Sequence, residues 1–275
     1  MTHTRTQINA LLAERDLGPS RALGQNFVAD PNTVRRIARL AGVGPDTPVV
    51  EIGAGLGSLT LALAETGATV TAVEIDRHLR PILEEVVDGL DVTIVAGDAM
   101  ALDWDEVLAG HDHWALVANL PYNVATPLVL DLLRDVPAID RMLVMVQLEA
   151  GERLVAEPGT AAYGIPSVKV ALRATARLVG KVSPEVFVPR PRVDSALVEI
   201  VRRAEPATDA DPDQLTALVE RAFNQRRKML RRSLAGVVSP EQFEAAGIDP
   251  QDRPERLAVE DWGRLANAIH GTPAS

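Results

Sequence analysis

Along the first 150 residues or so, short runs of β-branched and apolar residues alternate with segments whose apolar positions recur every three or four residues. Pro48-Val49-Val50 and the stretches 69–73, 91–96, 114–118 and 142–147 read as buried strands, and 59–64 and 126–134 read as helices, the first ending at Gly67. Residues 5–16 place Ile8, Leu11 and Leu12 at helical spacing, and Asp30-Pro31 reads as an N-cap opening a helix through Val34, Ile37 and Ala38. Strand and helix in alternation predict an α/β domain on a parallel sheet. Residues 157–164 read as a mobile loop, and 206–213, rich in proline, aspartate and alanine, read as a linker. Beyond it Leu215, Leu218, Val219, Leu257, Leu265 and Ile269 carry helical signals only. The chain therefore divides into a domain at 1–205 and a small all-helical one at 206–275.

Composition narrows the classes. A chain of 275 residues that is 47% hydrophobic can build one large core and a second small one. It has no cysteine, so disulfides and thiolate metal sites are excluded. An N-terminus without an apolar signal core, and the lack of any long apolar stretch, lead us to expect a soluble, cytoplasmic protein with no membrane partner. The net charge of −10 argues against general affinity for nucleic acid and confines any such contact to local basic patches. The five histidines, His3, His78, His111, His113 and His270, form no ligand pattern, although His111 and His113 are close enough to meet in a turn. No metal site is expected.

Candidate chemistry collects at strand ends. Glu51-Ile52-Gly53-Ala54-Gly55-Leu56-Gly57 lies between the first strand and the next helix, where glycines let backbone pass close to a ligand and a helix N-terminus offers free N–H groups. The dinucleotide fingerprint G-x-G-x-x-G fails, because its third glycine would fall on Ser58. E-x-G-x-G-x-G instead resembles the first motif of S-adenosylmethionine-dependent methyltransferases. Glu74 ends the second strand about 20 residues after the first glycine, where a carboxylate can hold a ribose diol. Asp98 ends the third, where it can accept from an adenine amino group. The fourth runs into Asn119-Leu120-Pro121-Tyr122, which resembles the tetrapeptide of methyltransferases that modify planar exocyclic amines. Such an amine shares its lone pair with the ring, so acceptors at the Asn119 side chain and the Leu120 carbonyl would localise the pair, and Tyr122 would stack on the base. On that division of labour the tyrosine hydroxyl is dispensable.

Five blocks in order carry a family resemblance: Leu23-Gly24-Gln25-Asn26-Phe27, residues 51–57, residues 119–122, Phe187-Val188-Pro189-Arg190-Pro191-Arg192-Val193-Asp194-Ser195, and Phe223-Asn224-Gln225-Arg226-Arg227-Lys228. Together they resemble the small-subunit ribosomal RNA adenine dimethyltransferases, the KsgA (RsmA) family. The resemblance implies a Rossmann-like class I sheet closed by an antiparallel pair at 175–182 and 195–202. It implies transfer of two methyl groups from S-adenosylmethionine to N6 of each of two adjacent adenosines near the 3′ end of 16S rRNA, as part of small-subunit biogenesis. It assigns Asn119, Leu120, Tyr122 and Phe187 to catalysis, Phe187 either against the target base or as a buried loop anchor. Asn26, Gly53, Glu74, Asp98, Asn119 and the backbone of Val28 would contact the cofactor. Arg221, Arg226, Arg227, Lys228, Arg231 and Arg232, a run with no acid among them, would contact RNA phosphates. The expected partner is rRNA in a precursor subunit, met by a monomer. A large-subunit enzyme of the antibiotic-resistance type shares the glycine loop and a similar tetrapeptide, and the Phe223–Lys228 block favours the small-subunit alternative.

Overall fold

The computed structural model describes residues 2–271. In chain order the elements are α1 (Arg5–Ala13), β1 (Phe27–Val28), α2 (Pro31–Ala41), β2 (Pro48–Ile52), α3 (Ser58–Ala64), β3 (Thr69–Glu74), α4 (Arg80–Val86), β4 (Val92–Ala96), α5 (Trp104–Val107), β5 (Trp114–Asn119), α6 (Ala125–Asp135), β6 (Ile139–Gln147), α7 (Leu148–Leu154) and α8 (Ile165–Arg173). They continue with β7 (Ala174–Val182), β8 (Phe187–Val188), β9 (Ser195–Arg202), α9 (Pro212–Phe223), α10 (Leu230–Ser233), α11 (Pro240–Ala246) and α12 (Val259–His270). Seven strands form one sheet in the order β4-β3-β2-β5-β6-β9-β7, and β1 with β8 forms a separate two-stranded pair. The five strands from β4 to β6 run parallel, and β9 reverses against β6 with Gln147 opposite Ser195. The order changes direction at β2, which lies between β3 and β5, so a crevice opens beyond the C-terminal ends of these strands.

Burial on both faces explains the continuous apolar runs of the central strands. Val49, Val50, Val70, Ala72, Leu116 and Val117 are all within 1% of full burial. Asp30 caps α2 by accepting from the N–H groups of Asn32 and Thr33, and that helix packs Val34, Ile37 and Ala38 with Leu59 and Leu63 of α3 against one sheet face. Ile8 and Leu12 of α1 cluster with Leu56, Leu79 and Ile82, so the N-terminal helix braces the glycine loop from behind. The His3 ring nitrogen Nε2 adds a 3.0 Å hydrogen bond to the Leu56 carbonyl.

Two compact units result, one of residues 1–151 and 177–201 and one of 152–176 and 202–275. The second is thus built from two stretches of chain, where the sequence places a single segment from 206. Val168 and Leu172 of α8 belong to the same apolar cluster as Leu215, Leu218 and Val219 of α9 and Trp262 and Leu265 of α12. Burying that face of α8 draws the preceding turn with it. Residues 157–164 are tied down rather than mobile: the Gly159 N–H donates to the Glu255 carbonyl at 2.6 Å, and Tyr163, 2% exposed, donates its hydroxyl to the Leu257 carbonyl at 2.8 Å. The stretch 206–213 has no regular structure before α9, yet Ala210 is buried in the cluster.

Candidate active site

The ends of β2, β3 and β5 and the loop 23–28 enclose a cleft of about 760 Å³, counting the space open to solvent. Gly53 and Gly55 at its floor, and Gly57 behind them against α4, all take positive φ. A Cβ on Gly55 would stand 3.1 Å from the Phe27 ring, so the turn needs glycine there for space as well as for conformation. Glu74 holds this turn: its carboxylate accepts from the Gly55 N–H at 2.6 Å and from the Asp76 N–H at 2.7 Å. Each oxygen keeps a second lone pair. Burial raises the Glu74 pKa, and the two backbone donors oppose that rise. Glu51 is 1% exposed beside it and lines the same cleft, and its Oε2 has no hydrogen-bond partner among the described residues. Burial pushes the Glu51 carboxyl up to about 8, with the nearby Thr60 hydroxyl opposing the rise and the charge of Glu74 adding to it; Thr60 Oγ1 and Glu51 Oε2 nevertheless do not reach hydrogen-bond geometry.

The loop 20–28 is latched over this floor. Gln25 donates through Nε2 to Asp76 at 2.8 Å and accepts from the Ser20 N–H through Oε1 at 2.7 Å. Asn26 turns its own amide back to the Gly24 carbonyl, and its backbone oxygen accepts from Asn119 Nδ2 at 2.9 Å. Only the nitrogen of the Asn119 amide can donate to a carbonyl, so this bond fixes which way round the amide sits and leaves Oδ1 as a free acceptor at the cleft. The Leu120 N–H continues the parallel ladder to the Met145 carbonyl at 3.0 Å, while the Leu120 carbonyl has no partner among the described residues. Tyr122 is half-buried, and its hydroxyl lies 2.8 Å from Ser195 Oγ. At Val28 the ladder alternation matters: Ala29 donates to Val186, so the N–H and C=O of Val28 face away from β8. Val28 also lines the cleft.

A second hollow, of about 740 Å³ on the same measure, lies beyond Gly53 and is lined by Ile52, Val73, Ile75, Asp98, Met100 and Val124 among others. Asp98 is exposed there, with Oδ1 accepting from the Met100 N–H. Gly53 faces both hollows, so Asn26, Val28, Gly53, Glu74, Asp98, Asn119, Leu120 and Tyr122 all border one continuous edge of the sheet. Phe187 does not. Its ring is 1% exposed, packed with Val28, Val34 and Val182, and it lines neither hollow. The pairing of Val28 with Phe187 across β1 and β8 turns that side chain into the core, so it is the buried loop anchor and forms no face for a base. Glu51, Gln25 and Ser195 are the site residues to which sequence reasoning gave no role, although each lies within one of the five blocks that carry the family resemblance.

A family model described as ribosomal RNA adenine dimethylase matches residues 20–270. Proteins named ribosomal RNA small subunit methyltransferase A are similar over nearly the whole chain. That of Kineococcus radiotolerans is 48% identical, covering 94% of this chain and 92% of its own, and that of Streptomyces avermitilis is 47% identical, covering 94% and 91%. The chain belongs to the ribosomal RNA adenine dimethylase family. Among solved structures, the 23S rRNA methyltransferase ErmE is 27% identical with a TM-score of 0.70, covering 89% of this chain and 99% of that one. A dimethyladenosine transferase from Plasmodium falciparum shares the fold, with a TM-score of 0.72 over 86% of this chain and 94% of its own at 23% identity. The much higher identity to the small-subunit enzymes separates the two readings that the sequence weighed. As a member of this family the chain is an S-adenosylmethionine-dependent methyltransferase acting on adenine in ribosomal RNA.

The cleft fits that cofactor on its own chemistry. A glycine turn that a Cβ would fill, the Val28 backbone groups that face away from β8, a buried carboxylate at Glu74 and the Glu51 Oε2, without a partner among the described residues, all border it. No group of three or more histidine, aspartate or glutamate side chains that could hold a metal occurs among the described residues. His111 packs edge-on to Trp114, and His113 pairs with Asp140.

In the second unit the six basic residues divide. Arg226 donates to the Ala161 carbonyl at 2.9 Å and lies 3.8 Å from the Glu255 carboxylate, and Arg221 donates to the Ala235 carbonyl at 3.3 Å. Arg227, Lys228, Arg231 and Arg232 are exposed and make no ion pair among the described residues. The uniform run of charge is therefore two structural arginines and four free cations.

Proposed function

We propose that this chain dimethylates N6 of two adjacent adenosines in the 3′-terminal hairpin loop of 16S rRNA, using the strand-end cleft for both cofactor and target base. The observation that carries the proposal is the tethered Asn119 amide: among the described residues Oδ1 and the carbonyl of the next residue, Leu120, are both without a hydrogen-bond partner. When bound, S-adenosylmethionine supplies an electrophilic methyl group on its sulfonium. Glu74 would hold the ribose hydroxyls with the lone pairs its backbone donors leave free, Val28 would offer backbone groups, and Asp98 would accept from the adenine amine.

The face of Tyr122 would stack on the extruded target base. Asn119 Oδ1 and the Leu120 carbonyl would each accept one N–H of the exocyclic amine. Held out of the ring plane by two acceptors, the nitrogen would have its lone pair localised and aimed at the methyl group; as the C–N bond formed the methyl C–S bond would break, S-adenosylhomocysteine would leave, and the nitrogen would shed one proton to solvent. After one transfer a single N–H remains. The second transfer then has one hydrogen bond where the first had two, and relies more on stacking to hold the base.

Arg227, Lys228, Arg231 and Arg232 would bind rRNA phosphates in a precursor of the small subunit, with the protein acting as a cytoplasmic monomer. No described helix is long and apolar enough to cross a membrane. Primer extension on rRNA from cells lacking and then regaining the protein tests the whole reading. Two adjacent stops near the 3′ end should vanish and return, and stops that persist without the protein would refute it.

A further inference from the structure

Ser195 stands at the first residue of β9, opposite Gln147, and the bond from the Leu148 N–H to the Asp194 carbonyl at 3.0 Å closes the ladder beside it. Its position is therefore set by the sheet and not by a loop. The side chain is 0% exposed, and its single side-chain hydrogen bond among the described residues is the 2.8 Å contact with the Tyr122 hydroxyl. A serine hydroxyl carries one proton, and a buried donor needs an acceptor. The phenol oxygen is the acceptor within reach. Tyr122 is half-buried and lines the cleft, so it can give its own proton to water or to a ligand. The polarity that satisfies both groups has Ser195 donating and Tyr122 accepting.

We infer that Ser195 is a positioning residue for methyl transfer: its hydroxyl, held by the sheet, pins the phenol oxygen of Tyr122 and so sets the plane on which the target adenine stacks. The consequence rests on the stacking role given to Tyr122 above. A tyrosine ring rotates about its side-chain bonds, and a ring anchored only at Cα would offer the base a range of planes. One bond at the far end of the ring removes that freedom. Adenine held in one plane keeps its amine at a fixed distance from Asn119 Oδ1 and the Leu120 carbonyl, so orientation is passed along a chain from Ser195 to Tyr122 to the base. The tyrosine hydroxyl thereby acquires a purpose that stacking alone does not give it, and Tyr122→Phe ceases to be a silent change.

The test is single-turnover methylation of small-subunit RNA at saturating RNA and cofactor, beside fluorescence of the same RNA carrying 2-aminopurine at the target position. Ser195→Ala should slow transfer roughly 3- to 10-fold, the rate equivalent of one net hydrogen bond. Tyr122→Phe should slow it equally, and the double variant should be no slower than either single one, because each removes the same bond. RNA and cofactor affinities should stay within about twofold, and quenching of the 2-aminopurine by the stacked ring should be weaker in all three. A serine that merely stabilises the fold would lower the melting temperature and leave rate and quenching untouched, which would overturn the inference. So would additive losses in the double variant. Should Ser195→Ala fail to fold, Tyr122→Phe decides alone, and a wild-type rate with wild-type quenching there rejects the inference. If wild-type protein itself left both adenosines unmethylated, the reading beneath it would fall first and take the inference with it.

Discussion

On the proposed mechanism Asn119 has two separable tasks, and a pair of substitutions can weigh them. Its Nδ2 tethers the loop 20–28 through the 2.9 Å bond to the Asn26 carbonyl, and its Oδ1 stands free to accept from the target amine. Asn119→Ala loses both. Removal of one hydrogen-bonding partner aimed at a transition state costs about 10²- to 10³-fold in rate, or roughly 2.7 to 4 kcal/mol. Loss of the tether adds about 1 kcal/mol for a neutral hydrogen bond, near a further factor of 5 to 10. Asn119→Asp keeps an acceptor oxygen at the Oδ1 position, now on a charged carboxylate, and sets a second oxygen against the Asn26 carbonyl, so it loses the tether while the acceptor remains. Single-turnover assays at saturating RNA should place the alanine variant about 10³-fold and the aspartate variant about 10-fold below wild type. Calorimetry should find cofactor binding weakened to a similar, small extent in both, since both untie the loop. Equal rates for the two variants would mean that the free oxygen is not what the amine needs, and the proposed role of Oδ1 would have to be abandoned.

Three further outcomes follow from the same geometry. Glu74→Ala should weaken S-adenosylmethionine binding by about 2 to 3 kcal/mol, because it removes the ribose acceptors and also frees the Gly55 and Asp76 N–H groups, and unchanged affinity by calorimetry would take Glu74 out of the site. Glu51 keeps its proton in the folded state up to about pH 8 but loses it near 4.5 when unfolded, so its burial lowers stability as pH rises between these values, by up to about 1.4 kcal/mol per unit, with no further loss above. Melting curves of Glu51→Gln at pH 5 and pH 8 should therefore show a smaller fall than wild type, and parallel curves would contradict the assignment; the raised Glu74 adds a fall of the same sign to both proteins. Arg227→Ala with Lys228→Ala should flatten the dependence of log RNA affinity on log salt by up to about two units, whereas Arg226→Ala should lower the melting temperature and leave that slope alone, as its guanidinium is already bound to Ala161 and Glu255.

What the sequence made legible, and what it hid, divides along a physical line. Central parallel strands are buried on both faces, so β2, β3 and β5 appear as unbroken apolar runs, and the residue that ends each run must lie at the ligand-binding edge. The strand-end positions of Glu74 and Asn119 could be read from that rule, whereas Asp98 follows the half-exposed edge strand β4 and was placed by its Gly-Asp ending. Partners far apart in sequence could not. Nothing near Tyr122 points to a serine 73 residues on, and nothing near Gln25 points to an aspartate 51 residues on, because each pair meets only through sheet order. Phe187 was misleading for the same reason, since a two-residue strand has no periodicity to declare which way its side chains face, and only pairing with β1 does so.

The second unit sharpens the point. An amphipathic helix such as α8 announces that one face will be buried without saying in which core, and so the boundary drawn at 206 left out 152–176. Glycine, proline and threonine around 159 follow the composition of a mobile loop, yet a buried Tyr163 and two bonds to carbonyls of the 255–257 turn hold them. The arginines carry the argument furthest. A guanidinium offers five N–H donors, enough to satisfy a carbonyl, a carboxylate or a phosphate equally well, so counting charge along a helix cannot tell which arginines the fold has already taken. Arg226 and its neighbour Arg227 have the same chemistry. One closes a turn of its own unit and the other stays exposed without an ion pair among the described residues, and that difference exists only once Ala161 and Glu255 have been brought to the end of α9.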